Sequence, residues 1–375
     1  MTWREDAPRT RVTYVINDLA RAGAETQLAL LATHLDRERF EPRIVLIKER
    51  NDFSDALERA GVPVVALRRR GPGDAGVLLR LRQALCEAPA DLIHSYLFLA
   101  NWMTALAAPR RARLVLSQRC SYEKQLSALL RRVARWSHRR ADRLVVNSAA
   151  IADEERRAGF PAGRLACVPN GALLPDLATA PPVHRSDLGL PPGRIVLALG
   201  QLVWAKGHRF LLDAWPQVVA RHPDTVLVLV GEGPERRALE AHASRLGIEA
   251  SVRFLGFRSP SSPYLQAADL FVHPSLTEGM PNAVLEAMAW SRPIVATEAD
   301  GVPELVGDSA RLVPPGDVAG LAQAVAGLLG DRSTADRLAA AARSRAESTY
   351  SVAALVARTT AVYAEILAAG PRAVP

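Results

Sequence analysis

Two carboxylates, Glu278 and Glu286, flank a Gly-Met-Pro-Asn turn in the stretch TEGMPNAVLEAMA, residues 277–289. Glu286 stands among Ala283, Val284, Leu285, Ala287 and Met288, so a helix there has little polar face and is expected to be buried. An isolated buried carboxylate is costly unless donors reach it, and the hydroxyl groups of a ligand are suitable donors. Glu278, in the preceding loop, would reach a second part of the same ligand. The competing reading is a solvated helix residue without a role. Pro281 suits the first turn of a helix, where its missing N–H costs nothing. The helix start also presents free amide donors to an anion.

A second constellation is ALGQLVWAKG, in which Gly200 ends a strand and Lys206-Gly207 opens the next helix. A strand, a turn and a lysine suit a phosphate, because an ammonium group and helix-start amides converge on one point. The glycine spacing is not that of a P-loop, and no Ser or Thr follows the lysine. Further on, VGEGPERRAL contains Gly231-x-Gly233, but Arg236 stands where a dinucleotide fingerprint needs its third glycine. A tight strand-to-helix turn accounts for that pair better than a nicotinamide cofactor does.

The elements that must position these groups alternate along the chain. Short β-branched runs such as RVTYVIND, EPRIVLIKE, ADLIHSYL and RLVLSQR are separated by helical patterns, which predicts a parallel doubly wound sheet. Residues 172–193 break the pattern with clustered prolines and read as a linker. Alternation then resumes with RIVLALGQL, TVLVLVGEGP, VRFLGF, LFVHPS and PIVATE, and residues 319–368 read as helical with breaks near Gly330 and Tyr350. The expectation is an α/β chain of two Rossmann-like domains facing a central cleft. Residues 1–175 form the amino-terminal domain and 190–350 the second, with a last helix at about 352–370 packing back on the first. Ligands of such sheets bind at the carboxyl ends of the strands, which is where the motifs fall.

A chain of 375 residues with 49% hydrophobic and 23% charged residues is long enough for two cores and is not disordered in composition. No apolar run is long enough to span a bilayer, and MTWREDAPRT has no apolar core of a signal peptide. Cys86, Cys120 and Cys167 are scattered and odd in number, which points to a reducing cytoplasm. The net charge of +8 is concentrated between Arg119 and Arg143, where eight Lys or Arg meet only Glu123 and Asp142. On a helix spanning 121–143, Leu126, Leu129, Leu130, Val133 and Trp136 share one face, and Lys124, Arg131, Arg132, Arg135 and Arg139 the other. Either the apolar side lies on the core with the charges in water, or the basic face meets an anionic membrane surface. Few aromatics and no recognisable module argue against nucleic acid.

ALGQLVWAKG, LVGEGPERRALE, VRFLGF, SLTEGMPNAVLEAMAWSRPIVAT and GVPELV resemble the second domain of the retaining family-4 glycosyltransferases of the GT-B fold. ARAGAETQLALLATHL, DLIHSYLFLAN and VVNSAAIADEERRAGFPAGRLACVPNGA resemble the first domain, so the likeness covers nearly the whole chain. It implies that Glu286 bonds the ribose of a UDP- or GDP-sugar and that Glu278 contacts the sugar ring. Gly279, Met280, Pro281 and Asn282 would offer backbone contacts near sugar and phosphate, and Lys206 would pair with the diphosphate beside Gly200 and Gln201. Leu255 and Gly256 would border the base, and Ala22, Gly23 and Asn101 would face the cleft on the acceptor side. Three departures stand out. Gln201 replaces a frequent arginine, so Lys206 or Arg209 must carry more of the charge; the glycine pair is Ala22-Gly23; and His94-Ser95-Tyr96 replaces His-x-His. Tyr96 takes the place of the histidine beside the sugar, and His94 either substitutes for it or is a structural strand residue.

The implied reaction is transfer of a hexose-type sugar to an acceptor hydroxyl with retention, by front-face attack. The acceptor proton would pass to the leaving phosphate. No Asp-x-Asp occurs, so no metal and no other cofactor is expected. The implied acceptor is a saccharide, in particular a lipid-linked one at the inner face of the cytoplasmic membrane during surface polysaccharide synthesis. Two alternatives are a nucleotide-sugar epimerase on the same scaffold and a nucleotide-sugar-binding protein with little catalytic activity.

Overall fold

The computed structural model describes residues 9–20 and 22–369. Strands β1 (Thr10–Ile16), β2 (Phe40–Leu46), β3 (Val64–Ala66), β4 (Leu92–Tyr96), β5 (Arg113–Gln118), β6 (Arg143–Val146) and β7 (Leu165–Cys167) form one sheet. Their order is β3-β2-β1-β4-β5-β6-β7, and every pairing is parallel. A second parallel sheet contains β8 (Arg194–Leu199), β9 (Thr225–Val230), β10 (Val252–Gly256), β11 (Leu270–His273), β12 (Ile294–Thr297) and β13 (Arg311–Val313). Its order is β10-β9-β8-β11-β12-β13. The chain therefore has the α/β architecture of two Rossmann-like sheets. Each sheet reverses its strand order once, between β1 and β4 and between β8 and β11, and such reversals open a crevice at the strand ends.

Parallel strands covered on both faces must be apolar throughout, and β8 (RIVLAL) and β9 (TVLVLV) are. Side chains alternate between the two faces of the sheet. Ile195, Leu197 and Leu199 enter one core with Phe271 and Leu285, and Val196 and Ala198 enter the other with Trp215 and Leu211. In the first sheet Tyr14 and Ile16 share a core with Leu28 and Tyr363, while Val15 packs with Val45 and Leu81 on the opposite face.

The first unit comprises the described residues up to Gly171 together with those from Val352 onward, and the second spans Ala172–Ser351. Residues 172–193 are seated on the second unit. Ala172 and Leu190 lie in its core, the Arg185 guanidinium bonds Asp269 Oδ2 and the Ala267 carbonyl at 2.8 Å each, and Arg343 donates to the Pro175 carbonyl at 2.9 Å. The alanine-rich region forms helices Val318–Gly330, Arg332–Thr349 and Val352–Ala368. Asp317 and Asp331 cap the first two, which places their breaks at the ends of the helical patterns. Among the described residues no helix is long and apolar enough to cross a membrane.

The stretch from 121 to 143 is two helices, Tyr122–Gln125 and Ala128–Arg140, because Ser127 caps the second and breaks the first. The apolar residues of the longer helix are not on the core. Its buried residues are Ala134, Ser137 and His138, whereas Leu129 is 68% exposed.

The last helix completes the first unit through Tyr363, which is fully buried. Its hydroxyl lies 2.7 Å from His94 Nδ1 and 3.3 Å from the Tyr14 hydroxyl. Tyr363→Phe leaves that nitrogen without a partner in a closed core. We expect a loss of about 1–3 kcal/mol in urea denaturation with the m-value unchanged. A loss near zero would show that the helix is held by its apolar contacts alone.

Candidate functional site

The loops after β8 and β11 lie side by side at the reversal of the second sheet, so their polar side chains are brought together by topology. The loop after β8 carries Lys206 in the short 3-10 turn Trp204–Lys206, directly before the helix His208–Arg221. The loop after β11 carries Glu278. Lys206 Nζ lies 2.5 Å from Glu278 Oε1. The same oxygen is 2.8 Å from His273 Nε2 and accepts from Ser275 Oγ at 2.8 Å. Three groups converge on Oε1, while Oε2 makes no hydrogen bond among the described residues. Burial alone would raise the Glu278 carboxyl. The hydrogen bond from His273 and the positive charges of Lys206 and His273 outweigh it and hold the group at about 2. The carboxylate therefore stays ionised with one oxygen held in place and the other free for a ligand.

Asp300 holds the loop from behind. Its Oδ2 accepts from Thr277 Oγ1 at 2.6 Å and from the Glu278 amide at 3.0 Å. Thr297 Oγ1 donates to the Ser275 carbonyl at 2.5 Å, which ties the loop to the end of β12. The two loops also meet directly, through the Leu276 amide on the Ala205 carbonyl at 2.8 Å. Gly207 makes the close approach that this needs. It sits at φ +65°, and a Cβ there would lie 2.0 Å from the Pro274 carbonyl oxygen. Gly231 and Gly233 serve a similar purpose, pressing on the backbone of Gly200 and Leu202. They form a tight turn against the neighbouring loop, as their sequence context suggests.

His208, the first residue of its helix, is 3% exposed, and neither of its ring nitrogens has a hydrogen-bond partner. Burial, reinforced by the nearby charges of His273 and Lys206, brings it down to about 4, so it is neutral at pH 7. An orphaned buried imidazole beside a lysine and a helix start fits a polar ligand at this edge.

Glu286 lies in the helix Asn282–Ala289 and is partly open to solvent. Pro281 is the residue before that helix rather than within its first turn, and no side chain caps the helix start. Burial pushes the Glu286 carboxyl above its usual value, partly offset by a 2.7 Å hydrogen bond from Ser261 Oγ to Oε2. A protein hydroxyl thus already occupies one of the oxygens that the sequence assigns to ligand hydroxyls. Gly200 and Gln201 end β8 beside Lys206, Gly279 and Met280 form the turn, and Leu255 and Gly256 end β10.

In the first unit, Ala22 precedes the helix Gly23–His34, of which Gly23 is the first residue, at the end of β1. His94 and Tyr96 are both fully buried. His94 has both ring nitrogens engaged, by Tyr363 and by Ser117 Oγ at 2.8 Å, and this structure holds it as a core residue. Tyr96 lies beneath the Arg119 guanidinium, 5.1 Å from its ring centre. Asn101 is 1% exposed and donates to the Ser117 carbonyl at 2.9 Å. None of these three side chains is open to solvent as they stand.

The sequence reading missed His208, Ser261, His273, Ser275 and Asp300. His273 had a signal, since it closes the otherwise apolar strand LFVH at the ligand edge. Asp300 lies 22 residues from its partner Glu278, and no local pattern links them.

Two outcomes follow from this geometry. Glu278 is held below its ordinary value, so its stabilising contribution is complete above about pH 4.5 and is lost as pH falls through about 2. Glu278→Gln should flatten the acid limb of the stability curve, removing on the order of 1–3 kcal/mol of its pH dependence. An unchanged acid limb would remove the basis for an ionised Glu278. Gly207→Ala should cost more than ~2 kcal/mol in chemical denaturation. Gly159→Ala is the control, because its φ is +84° but a Cβ there meets nothing within 4 Å. Equal losses in the two variants would mean that the approach to Pro274 is relaxed without cost.

Two sequence families match the chain. One described as "Glycosyl transferases group 1" matches residues 193–331, and one described as "Glycosyl transferase 4-like domain" matches residues 22–171. The lipopolysaccharide core biosynthesis glycosyltransferase LpsE of Rhizobium meliloti is 33% identical over 192 residues, covering 50% of this chain and 54% of LpsE. LpsD of the same organism, described in the same words, is 36% identical over 164 residues, covering 43% of this chain and 47% of LpsD. The chain thus spans about half the length of these curated relatives. The crystal structure of HepE from Anabaena in complex with UDP-glucose matches with a TM-score of 0.84 at 25% identity, over 95% of this chain and 100% of that one.

Proposed function

The chain belongs to the family-4 glycosyltransferases of the GT-B fold, and on that premise we propose that it moves a hexose from a UDP-sugar to a saccharide acceptor with retention of configuration. The observation that carries this reading is the junction of Lys206, Glu278 and the uncapped helix starts at the reversal of the second sheet. The UDP-glucose held by HepE supports the choice of base and sugar class, and the relatives in lipopolysaccharide core synthesis support a lipid-linked acceptor in surface polysaccharide assembly.

The chemistry follows from charge. As the glycosidic bond breaks, negative charge grows on the departing diphosphate, and a site accelerates that step by offering positive potential already in place. Lys206 is held at the strand end by Glu278, so its ammonium need not be ordered when the diphosphate arrives. The amides at the starts of helices His208–Arg221 and Asn282–Ala289 add donors without adding a mobile charge. Gln201 contributes no charge, which leaves Lys206 as the principal cation beside Gly200, and the reading calls for no metal. Glu278 offers its free Oε2 to sugar hydroxyls. Glu286 exchanges the Ser261 hydroxyl for those of the ribose, while Leu255 and Gly256 border the base. Gly279, Met280, Pro281 and Asn282 supply backbone contacts.

No protein carboxylate is assigned as a nucleophile. The acceptor hydroxyl attacks the anomeric carbon from the face the diphosphate leaves, its proton passes to a phosphate oxygen, and the products are a glycoside and UDP. Acceptor recognition is assigned to the first unit around Ala22 and Gly23, with Asn101, His94 and Tyr96 supporting the sheet edge beneath.

A donor panel of UDP-, GDP- and ADP-sugars, read by ligand-observed NMR and by release of the nucleoside diphosphate, tests this reading. We expect UDP-hexose binding, a loss of roughly 100- to 1,000-fold in kcat/KM for Lys206→Ala, and weakening of donor binding by roughly tenfold or more for Glu286→Ala. Full activity in both variants, or binding of no nucleotide sugar at all, would sink the proposal. Inverted product stereochemistry would remove the front-face step.

A further inference from the structure

The helix Ala128–Arg140 faces solvent with its apolar side. Inward it presents Ala134, Ser137 and His138, a small seam in which His138 Nδ1 lies 3.1 Å from Glu155 Oε2 and its ring stacks on Tyr122. Outward, Leu129 and Trp136 stand two turns apart on one face and are 68% and 41% exposed, with Leu130 beside them at 39%. A surface helix of a globular domain ordinarily hides such residues. Here the small inward side chains leave no room for them, so they form an uncovered ridge.

The same helix carries Arg132, Arg135 and Arg139, all exposed, and none of the three pairs with a carboxylate among the described residues. The Arg140 guanidinium lies 6.0 Å from the centre of the Trp136 ring. Apolar ridge and unpaired positive charge therefore share one side of one helix. Phosphodiester backbones alone would be met by the arginines and would leave Leu129 and Leu130 in water. A bilayer surface satisfies both, because leucine and tryptophan enter the boundary between headgroups and acyl chains while guanidinium groups reach the phosphates.

We propose that this face docks on an anionic lipid bilayer, with Leu129, Leu130 and Trp136 entering the interface and Arg132, Arg135 and Arg139 meeting lipid phosphates. The inference deepens the acceptor part of the function proposed above and rests on it for its purpose, since a lipid-linked acceptor is presented at such a surface. Docking itself is measured without turnover, so the two ideas fail separately.

The test is sedimentation of the full chain with vesicles of phosphatidylcholine containing phosphatidylglycerol, and with phosphatidylcholine alone, at low salt. The wild type should bind the anionic vesicles and bind the neutral ones at least tenfold less. Changing Arg132, Arg135 and Arg139 together to Glu should lower the partition coefficient by roughly 100-fold or more, at about 1 kcal/mol for each basic residue removed from the surface. Leu129→Ser with Trp136→Ser should lower it about tenfold while the salt dependence stays. Brominated lipid should quench wild-type fluorescence and quench Trp136→Phe much less. Circular dichroism melts of each variant should match the wild type, as expected for exposed positions. The proposal is overturned if the variants sediment like the wild type or if no vesicle binds. It is also overturned if duplex nucleic acid competes the chain off vesicles, or if the ridge proves to hold a dimer that Leu129→Ser dissociates.

Discussion

Glu278 keeps a full negative charge at the point where β8 and β11 diverge, with only 9% of its side chain open to water. A carboxylate so placed would normally take up a proton, because burial penalises the charged form. It stays ionised because Lys206, His273 and Ser275 meet on one oxygen. Each of those groups is in turn fixed by something else: Lys206 by the turn that ends at Gly207, His273 by the last position of β11, and Ser275 by a loop bonded to Thr297. The arrangement of the second unit's edge can be read as the set of anchors this one charge requires. Asp300 adds a second carboxylate nearby, but it faces the backbone and a threonine hydroxyl.

Much of this was legible in the sequence. The alternation of β-branched runs with helical periods gives two parallel sheets, because strands covered on both faces must be apolar throughout and helices between them must carry an apolar stripe. Lys206, Glu278 and Glu286 stood out for a related reason, since charged residues at the ends of such runs fall at the ligand edge. What could not be read were partners distant in sequence. That Asp300 holds the Thr277 loop, or that Ser261 occupies Glu286, depends on which strands neighbour each other, and periodicity does not encode this. Residues 172–193 show a related limit. Their prolines break every period, yet Arg185 and Leu190 dock the segment on the second unit through contacts that need no regular structure.

The basic helix shows where pattern and packing part. A wheel drawn on Leu126 to Trp136 separates an apolar face from a charged one, and the ordinary rule sends the apolar face inward. The structure instead seats the helix on Ala134, Ser137 and His138, since the groove that receives them is lined by Tyr122 and Glu155 and admits small or polar side chains. A hydrophobic period thus indicates a surface that avoids water. It does not say what covers that surface.

The return of the last helix to the first unit also bears on how the chain is made. The core that holds Tyr14, His94 and Phe40 is closed by Tyr363, which follows the entire second unit in the chain. During synthesis from the amino terminus the first seven strands emerge early, yet the pocket around His94 stays unfilled until the second sheet has been produced. The second unit is continuous in sequence and can fold as soon as it appears. The earlier-made half is therefore the later one to finish, and in the interval its open groove along the helix Gly23–His34 is a place where a chaperone or an unwanted helix could bind.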